Sequence, residues 1–421
     1  MVAEINDPYA AVKIGDFRRL LTGRLFVTVA LQIQSLAVGW QIYELTKNPL
    51  ALGCIGLAEV IPAIGVALYA GHVADKVDRR KIALLAIFIM WVCMLLLGGL
   101  SFAITSDSLL LPVIYIVIAF TGLARGFYGP AIFGLISDIV PRPLYGNAAA
   151  WNSSVWQFSA MAGPVLGGFL YYWLTAPATY LVSACLMFAS GLLFILVRSR
   201  TEIKADSATS VKESMIGGLK FVFSNQVMLG AMALDLFAVL FGGAVALLPI
   251  FTSEVFHMGS EALGFLRAAP CIGALITSTI LLHRPINHNA GKYLLIAVAG
   301  FGICMIAFGL SVNYYASLAL LAVSGALDGV SVYVRNTIFQ LLTPNDMKGR
   351  VSAVNNIFIG SSNEMGEFES GVTAKWLGLV TSVVFGGTMT LVVVLLTALK
   401  APQLRNLQMN ELFREDEMVP E

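Results

Sequence analysis

The stretch VPRPLYGNAAAWNSS at residues 140–154 returns in altered form as LTPNDMKGRVSAVNN at residues 342–356. An offset of 203 residues matches four positions of the two stretches, Pro141 with Pro344, Gly146 with Gly349, Ala150 with Ala353 and Asn152 with Asn355. The same offset matches three further glycine pairs, Gly122 with Gly325, Gly163 with Gly366 and Gly168 with Gly371. These matches indicate an internal repeat of two halves.

The composition around this repeat is that of a membrane protein. Of 421 residues, 58% are hydrophobic and 12% are charged, whereas soluble domains are about 45–50% apolar and about a quarter charged. The net charge of +1 gives no indication of nucleic-acid binding. The first apolar run is too long for the core of a cleaved signal peptide, so we expect it to stay in the membrane.

Apolar runs long enough to cross about 30 Å of hydrocarbon predict an all-α protein with twelve transmembrane helices. The first six spans are predicted at residues 20–44, 50–72, 82–104, 109–138, 146–172 and 178–198. The second six are predicted at residues 226–253, 260–283, 291–311, 315–342, 350–374 and 381–400. Two six-helix halves repeated in parallel are typical of one large class of transporters, which bind substrate between the halves near the bilayer midplane.

A polar segment, RSRTEIKADSATSVKESMIGGLK at residues 198–220, separates the two groups of spans. It has the composition of a linker between domains. The predicted organisation is a cytoplasmic N-terminal segment, an N-terminal six-helix bundle, a cytoplasmic linker, a C-terminal six-helix bundle and a cytoplasmic acidic tail, at residues 1–16, 17–198, 199–225, 226–400 and 401–421.

The basic residues give the orientation. With a cytoplasmic N-terminus, twenty of the 26 Lys and Arg residues fall on the cytoplasmic side, and only Lys47 and Lys375 fall outside. Cytoplasmic loops of membrane proteins carry such an excess. The sequence therefore predicts that both termini are cytoplasmic.

The loop between the second and third spans reads GHVADKVDRRK at residues 71–81. It resembles the gating signature of the major facilitator superfamily, G-x-x-x-D-R/K-x-G-R-R/K, with Asp78 in place of the second glycine. The matching residues are Gly71, Asp75, Lys76, Arg79 and Arg80. Glycine allows two helices to approach closely, and a carboxylate such as Asp75 is favourable near a helix N-terminus.

Arg79 or Arg80 is expected to reach Asp138 at the cytoplasmic end of the fourth span. The resemblance implies that such a cluster closes the inner face against the eleventh span, which begins near Arg350. The corresponding loop of the second half, HRPINHNAGK, hardly matches the signature. We therefore expect the closing contact to come from the N-terminal half alone.

Two further motifs carry the resemblance. RGFYG at residues 125–129 resembles the superfamily motif R-x-x-x-G, whose arginine is linked to proton coupling, and an arginine inside a span is usually functional. GPVLGG at residues 163–168 matches the core of G-P-x-x-G-G, which is associated with antiporters and export, although Ala150 and Ser159 replace upstream glycines. The residues expected to pack helices are Gly163, Pro164, Gly167 and Gly168.

The resemblance extends over essentially the whole chain. Within the superfamily, FRRLLTGRLF at residues 17–26, ALG at 51–53 and LLPIF at 247–251 resemble the bacterial exporter group that includes the enterobactin exporter. This implies efflux of a small organic molecule, a siderophore or a drug-like compound, across the bacterial inner membrane.

The stretch GSSNEMGEFESG at residues 360–371 places three glutamates in the eleventh span. Counting 1.5 Å per residue from Arg350, Glu364 lies roughly 21 Å into the bilayer and Glu369 nearly 29 Å. Glu364 and Glu367 share a helix face. Two such carboxylates do not both ionise easily, so the pair is expected to take up a proton or bind a cationic group or metal ion. The alternative is that all three form salt bridges or line a wet vestibule.

Other charged residues inside the spans are candidates for proton coupling or substrate binding. They are Glu59, Arg125, Asp235, Asp328 and Arg335, with Arg24 and Arg267 as further candidates. The repeat places Asp328 at the position of Arg125, and opposed charges at equivalent sites favour a pair between the halves. The polar and aromatic residues of the first span, Gln32, Gln34, Trp40 and Gln41, are candidates to line the path.

The favoured interpretation is a proton-coupled secondary transporter that exports its substrate by alternating access. Uptake by the same fold is the nearest alternative, and a membrane sensor or scaffold that transports nothing is a further one. We predict no enzymatic activity, because the sequence has no G-x-x-x-x-G-K-S/T, no metal-ligand spacing and no nucleophile elbow. The expected partners are a small-molecule substrate, protons and the lipid bilayer, without nucleic acid, cofactor or metal ion. The expected form is a monomer.

Overall fold

The computed structural model describes residues 7–104, 106–198, 211–286, 288–344 and 347–408, which contain helices and no strand. The long helices are α1 Gly15–Thr46, α2 Pro49–Lys76, α3 Arg79–Ala103, α4 Asp107–Ile139, α5 Tyr145–Ile195, α6 Val211–Ser224, α7 Gln226–Gly242, α8 Ser260–His283, α9 Ala290–Leu310, α10 Tyr314–Leu342, α11 Lys348–Leu377 and α12 Leu379–Lys400. The all-α fold class is confirmed.

Ten segments of the described chain are long and apolar enough to cross a membrane. One of them, Arg142–Ile195, is 54 residues long and covers the fifth and sixth predicted spans. Its helix is interrupted at Thr175, which has φ 64°, two residues before Pro177. Helix α11, which carries the three glutamates, is not among the ten. The count of twelve spans and the cytoplasmic termini stay predictions.

The seventh predicted span, residues 226–253, is not one continuous helix. Helix α7 ends at Gly242, and a 3₁₀ turn at Val245–Leu247 and a π turn at Phe251–Val255 follow. The helix ends at two consecutive glycines, Gly242 and Gly243, and glycine has a low helix propensity. The carbonyl of Gly243 accepts a hydrogen bond of 2.7 Å from the Ser370 hydroxyl of α11, which satisfies a backbone group at the break.

Helix α6 lies within the predicted linker, and α7 begins directly after it. The side chain of Asn225 caps α7 by accepting hydrogen bonds from the amides of Val227 and Met228, at 3.0 and 3.1 Å. Val222 of α6 is buried in an apolar core that includes residues of α7, α9, α10 and α11. The end of the linker thus packs as part of the second half.

The chain forms two compact units. Unit 1 comprises Met1–Lys47, Leu57–Ala208 and Met258–Phe265, and unit 2 comprises Asn48–Gly56, Thr209–His257 and Leu266–Glu421. An apolar core in unit 1 includes buried residues of α1, α3, α4 and α5. The first turns of α2 thus group with unit 2, and the first turns of α8 group with unit 1. The predicted domain boundaries stay predictions.

Glycines matched by the repeat make matching contacts in the two units. A Cβ atom at Gly122 of α4 would overlap the carbonyl oxygen of Glu59 in α2. A Cβ atom at Gly325 of α10 would overlap the carbonyl oxygen of Pro270 in α8. Both glycines therefore allow two helix backbones to touch, which is the usual role of small residues between membrane helices.

The second glycine pair behaves in the same way. A Cβ atom at Gly163 of α5 would lie 2.5 Å from the Cβ of Gln32 in α1. One at Gly366 of α11 would lie 2.9 Å from the carbonyl oxygen of Val239 in α7. The offset of 203 residues in the sequence therefore corresponds to equivalent helix crossings in space.

Candidate functional site

The arginines of the gating loop in unit 1 have different partners. Arg79 donates from Nη1 to Oδ1 of Asp138 at 2.6 Å and to the carbonyl of Gly134 at 3.3 Å. Gly134 leaves room for this side chain, since a Cβ there would lie 2.5 Å from Nε of Arg79. Asp138 lies in the last turn of α4, so Arg79 also neutralises the negative end of that helix.

Arg80 does not contact Asp138. Its guanidinium donates to the carbonyl of Phe194 at 3.1 Å and to that of Ile195, at the C-terminus of α5. The carboxylate at a helix N-terminus is that of Asp78, which accepts from the amide of Arg80 at 2.9 Å and caps α3. The residue that departs from the superfamily pattern therefore has a capping role. Gly71, Asp75 and Arg350 lie outside the residues whose surroundings the structure describes.

The Arg79–Asp138 pair is expected to stabilise unit 1. Arg79→Gln removes a charged hydrogen-bond partner from a mostly buried carboxylate, so we expect the free energy of unfolding in detergent to fall by about 2 kcal/mol. Arg142→Gln is the matched control, because Arg142 is exposed and such changes usually stay within about 0.5 kcal/mol. Equal stability of the two variants would contradict the prediction.

A second ion pair of unit 1 joins Arg125 of α4 to Glu59 of α2. The Arg125 side chain is 46% exposed and that of Glu59 is 18% exposed. Gly122 and Gly126, on either side of Arg125, let α4 pack directly against the α2 backbone. This close crossing places the two charged groups in contact. Sequence analysis named both residues but matched Arg125 with Asp328 instead.

The GPVLGG motif contacts two helices of unit 1. Gly163 and Gly167 face Gln32 and Ile33 of α1. Gly168 packs against the first turn of α8, where its carbonyl accepts from the Ser260 hydroxyl at 3.0 Å. The carbonyl of Pro164 approaches Gly264 of α8. The motif therefore lies at close helix contacts, and its functional role stays a prediction.

Unit 2 contains a buried ion pair between Asp235 of α7 and Arg335 of α10. Their side chains are 10% and 8% exposed. Arg335 also donates from Nε to the carbonyl of Ser331 at 3.4 Å. Sequence analysis treated both residues as separate candidates, and the fold pairs them.

Glu364 and Glu367 of α11 share a partner in unit 2. Both interact electrostatically with Arg267, a partly buried residue of α8. Gly56 of α2 lies against Glu364, since a Cβ there would be 2.6 Å from the Glu364 carbonyl oxygen and 3.3 Å from its carboxylate Oε2. The arrangement fits the salt-bridge alternative for these two glutamates. Glu369 is half-buried on the same helix.

A cavity of about 210 Å³ lies inside unit 2. It is lined by residues of α7 to α11 and of the irregular segment after α7. Most of the wall is apolar. The charged and amide side chains that line it are Asp235, Arg267, Asp328 and Asn363. Sequence analysis named Asp328 but could not place it in a cavity.

The polar residues of the first span are engaged inside unit 1. Gln34 and Gln41 are buried, and Gln41 accepts from the Tyr180 hydroxyl at 2.7 Å and donates to Ser101 at 3.0 Å. This packing does not fit the suggestion that Gln34 and Gln41 line a path, and the suggestion for Gln32 stays a prediction.

Sequence analysis missed Glu44, which accepts from Trp40 at 2.8 Å and from the Tyr171 hydroxyl at 2.5 Å. The four-residue spacing of Trp40 and Glu44 on one helix was the only signal for it in the sequence.

Among the described residues, no three His, Cys, Asp or Glu side chains converge as a metal site requires. The charges instead form Arg–carboxylate groups that cross between helices of one unit.

The family model of the Major Facilitator Superfamily matches residues 20–366. The chain belongs to this superfamily. It is 26% identical over 298 residues to the uncharacterised MFS-type transporter YfmI of Bacillus subtilis, covering 67% of this chain and 73% of that protein. It is 25% identical over 354 residues to the enterobactin exporter EntS of Shigella flexneri, covering 80% of each chain.

A crystal structure of a D-xylose-proton symporter aligns with 94% of this chain and 100% of that chain, with a TM-score of 0.74. Its sequence identity is 14%, so this likeness concerns the fold alone. Family and fold are those of transporters, which confirms the resemblance drawn from the motifs. The chain is a multi-pass membrane protein, and the exporter EntS that it resembles is bacterial, consistent with a location in the inner membrane.

Proposed function

We propose that the chain is a secondary transporter that exports a small organic molecule in exchange for protons. The observation that carries this proposal is the Glu59–Arg125 ion pair between α2 and α4. An ionisable pair inside membrane helices is unfavourable and is usually retained for function. We infer an alternating-access cycle, which the two compact units and the superfamily fold support.

The pair offers a simple coupling step. A proton that binds Glu59 removes the negative charge that holds the Arg125 guanidinium. Arg125 is then free to turn toward other groups, and loss of the proton restores the pair. Since Arg125 is about half exposed, its guanidinium is accessible to water or substrate in this state. The close crossing at Gly122 keeps the two backbones in place while the charges change.

The direction and substrate class rest on two observations. The exporter EntS is among the relatives, and its name gives enterobactin as the exported compound. The GPVLGG motif packs α5 tightly against α1 and the start of α8, which fits the association of this motif with antiporters. We therefore propose a siderophore or a drug-like compound as substrate. Closure of the cytoplasmic side is assigned to the cluster of Arg79 and Asp138.

The test uses the purified protein in liposomes that contain a pH-sensitive dye. Catecholate siderophores and lipophilic cationic drugs are added in turn, and proton movement is followed against that in empty liposomes. We expect an active compound to drive protons in the direction opposite to its own movement. Glu59→Gln is expected to slow this proton movement about tenfold or more, a typical loss for a proton-transfer group.

Asp107→Asn is the matched control, because Asp107 is an exposed carboxylate at the start of α4. It should leave proton movement unchanged. Glu364→Gln is tested in parallel, and loss in this variant alone would move the coupling role to α11. If protons and the compound moved in the same direction, the proposal of export would be wrong and uptake would take its place. Unchanged proton movement in Glu59→Gln would contradict the proposed role of the pair.

A further inference from the structure

The cavity inside unit 2 has the size and lining of a ligand site. Its volume is about 210 Å³, and an engineered apolar cavity of about 150 Å³ in another protein accommodates benzene. Phe301 and Met305 of α9, Leu248 and Leu321 supply apolar walls. We propose that this cavity binds a small organic ammonium ion with a hydrocarbon body about one ring in size, and that Asp328 is its counter-ion.

Asp328 enters the cavity from α10 without a partner of its own. Among the residues that the structure describes, its carboxylate makes no hydrogen bond or ion pair. Of Ser324 and Ser331, which line the cavity on the same helix, Ser324 donates its hydroxyl hydrogen to the carbonyl of Leu321 at 2.8 Å. Arg335, two turns along the helix, is paired with Asp235. A partly buried carboxylate without a donor is unfavourable unless a cation or a proton joins it.

The charged residues in and around the cavity have a negative formal net charge. Asp235 and Arg335 cancel each other. The other arginine, Arg267, interacts with Glu364 and Glu367. Together the group holds two guanidiniums against the four carboxylates of Asp235, Asp328, Glu364 and Glu367, which gives a formal charge of −2. A low-dielectric site of this sign attracts cations and repels anions.

The lining favours an organic cation over an inorganic one. A bare metal ion takes about six oxygen ligands, whereas most of the cavity wall is apolar and the carboxylate of Asp235 is already engaged by Arg335. An organic ammonium needs one carboxylate, and its hydrocarbon part gains from apolar walls. The ring of Phe301 in the wall adds a face for cation–π attraction.

One wall of the cavity is formed by a close crossing of α8 and α10. Gly325 of α10 touches the backbone of Pro270 in α8, and both residues line the cavity. Two turns along α8 from Pro270, the Thr277 hydroxyl donates to the carbonyl of Ala326 at 2.9 Å. The position of Asp328 is therefore set by a close helix crossing rather than by a loop, which limits the reorganisation that binding requires.

The experiment is a calorimetric titration of the full-length protein in lipid nanodiscs at neutral pH. The probes are benzylammonium and benzyl alcohol, which have similar shapes but differ in charge, and empty nanodiscs give the blank. We expect benzylammonium to bind at least about tenfold more tightly than benzyl alcohol, the ratio that one charge-assisted hydrogen bond provides. Asp328→Asn should abolish this preference, and Asp328→Glu should keep it. Asp107→Asn serves as the matched control and should behave as the unaltered protein.

Equal affinities for the two probes, or no binding of benzylammonium up to millimolar concentration, would overturn the proposal without any variant. Undiminished binding of benzylammonium to folded Asp328→Asn would also overturn it. If millimolar sodium displaced benzylammonium, the site would be one for an inorganic cation, and the proposal of an organic ligand would be wrong. The titration measures binding alone, so absence of export in liposomes leaves this site standing, and its failure leaves the export proposal standing.

Discussion

Arg335→Met is expected to lower the stability of unit 2 by about 3–5 kcal/mol, because it leaves the carboxylate of Asp235 buried beside an apolar side chain. The Arg335 side chain is 8% exposed, so water cannot replace the lost guanidinium. Methionine keeps much of the volume of arginine, which limits any effect of an empty space. Breaking a buried pair on one side costs far more than removing the pair as a whole.

The double variant Asp235→Asn/Arg335→Met separates charge from packing. It removes both charges, so we expect it to recover most of the stability lost in the single variant. The free energy of unfolding of the purified protein in detergent micelles, measured for the four members of the cycle, gives the coupling energy of the pair. Arg284→Met is a suitable control because Arg284 is exposed at the end of α8. A double variant as unstable as Arg335→Met would show that the charges are not the cause.

Gly122→Ala is expected to destabilise unit 1 by about 1–3 kcal/mol, although alanine is the better helix former. The added methyl would overlap the carbonyl oxygen of Glu59, which belongs to the backbone of α2 and cannot turn aside. The two helices must separate, which also pulls Glu59 away from Arg125. We expect Gly325→Ala to act in the same way in unit 2, since Gly325 makes the equivalent contact with Pro270.

Gly129→Ala in the same helix is the matched control. No atom lies within 4 Å of a Cβ placed there, so alanine should leave the stability unchanged or raise it by up to about 1 kcal/mol. Thermal unfolding of the variants in detergent gives the comparison. A loss for Gly129→Ala as large as that for Gly122→Ala would contradict the assignment of the close contact to Gly122.

The contact between the gating loop and Asp138 could be predicted because consecutive spans return the chain to the same membrane face. Arg79 is the first residue of α3, and Asp138 lies in the last turn of α4, the next span. Both residues therefore lie at the same membrane face. The choice between Arg79 and Arg80 depended on which side of α3 faces α4, and only packing decides that. Asp78 was read as a departure from a glycine pattern, whereas its side chain caps α3.

The intramembrane charges were found one by one, but their partners were not. Hydropathy makes a charged residue conspicuous inside an apolar span, so Glu59, Asp235 and Asp328 could be identified. Which arginine meets which carboxylate depends on helix rotation and crossing. Arg125 meets Glu59 because Gly122 brings α4 onto α2, and Arg335 meets Asp235 because α10 packs beside α7.

The sequence by itself determined that this chain is an all-α membrane protein built from two repeated halves, and its motifs indicated the superfamily. Composition, periodic apolar runs and glycines at one offset are local properties of the chain and need no coordinates. Only the tertiary structure decided the interruption after α7, the electrostatic interaction of Glu364 and Glu367 with Arg267, and the position of Asp328 in the wall of a cavity. These features arise from contacts between helices far apart in sequence, where small residues set how closely and at what rotation the backbones meet.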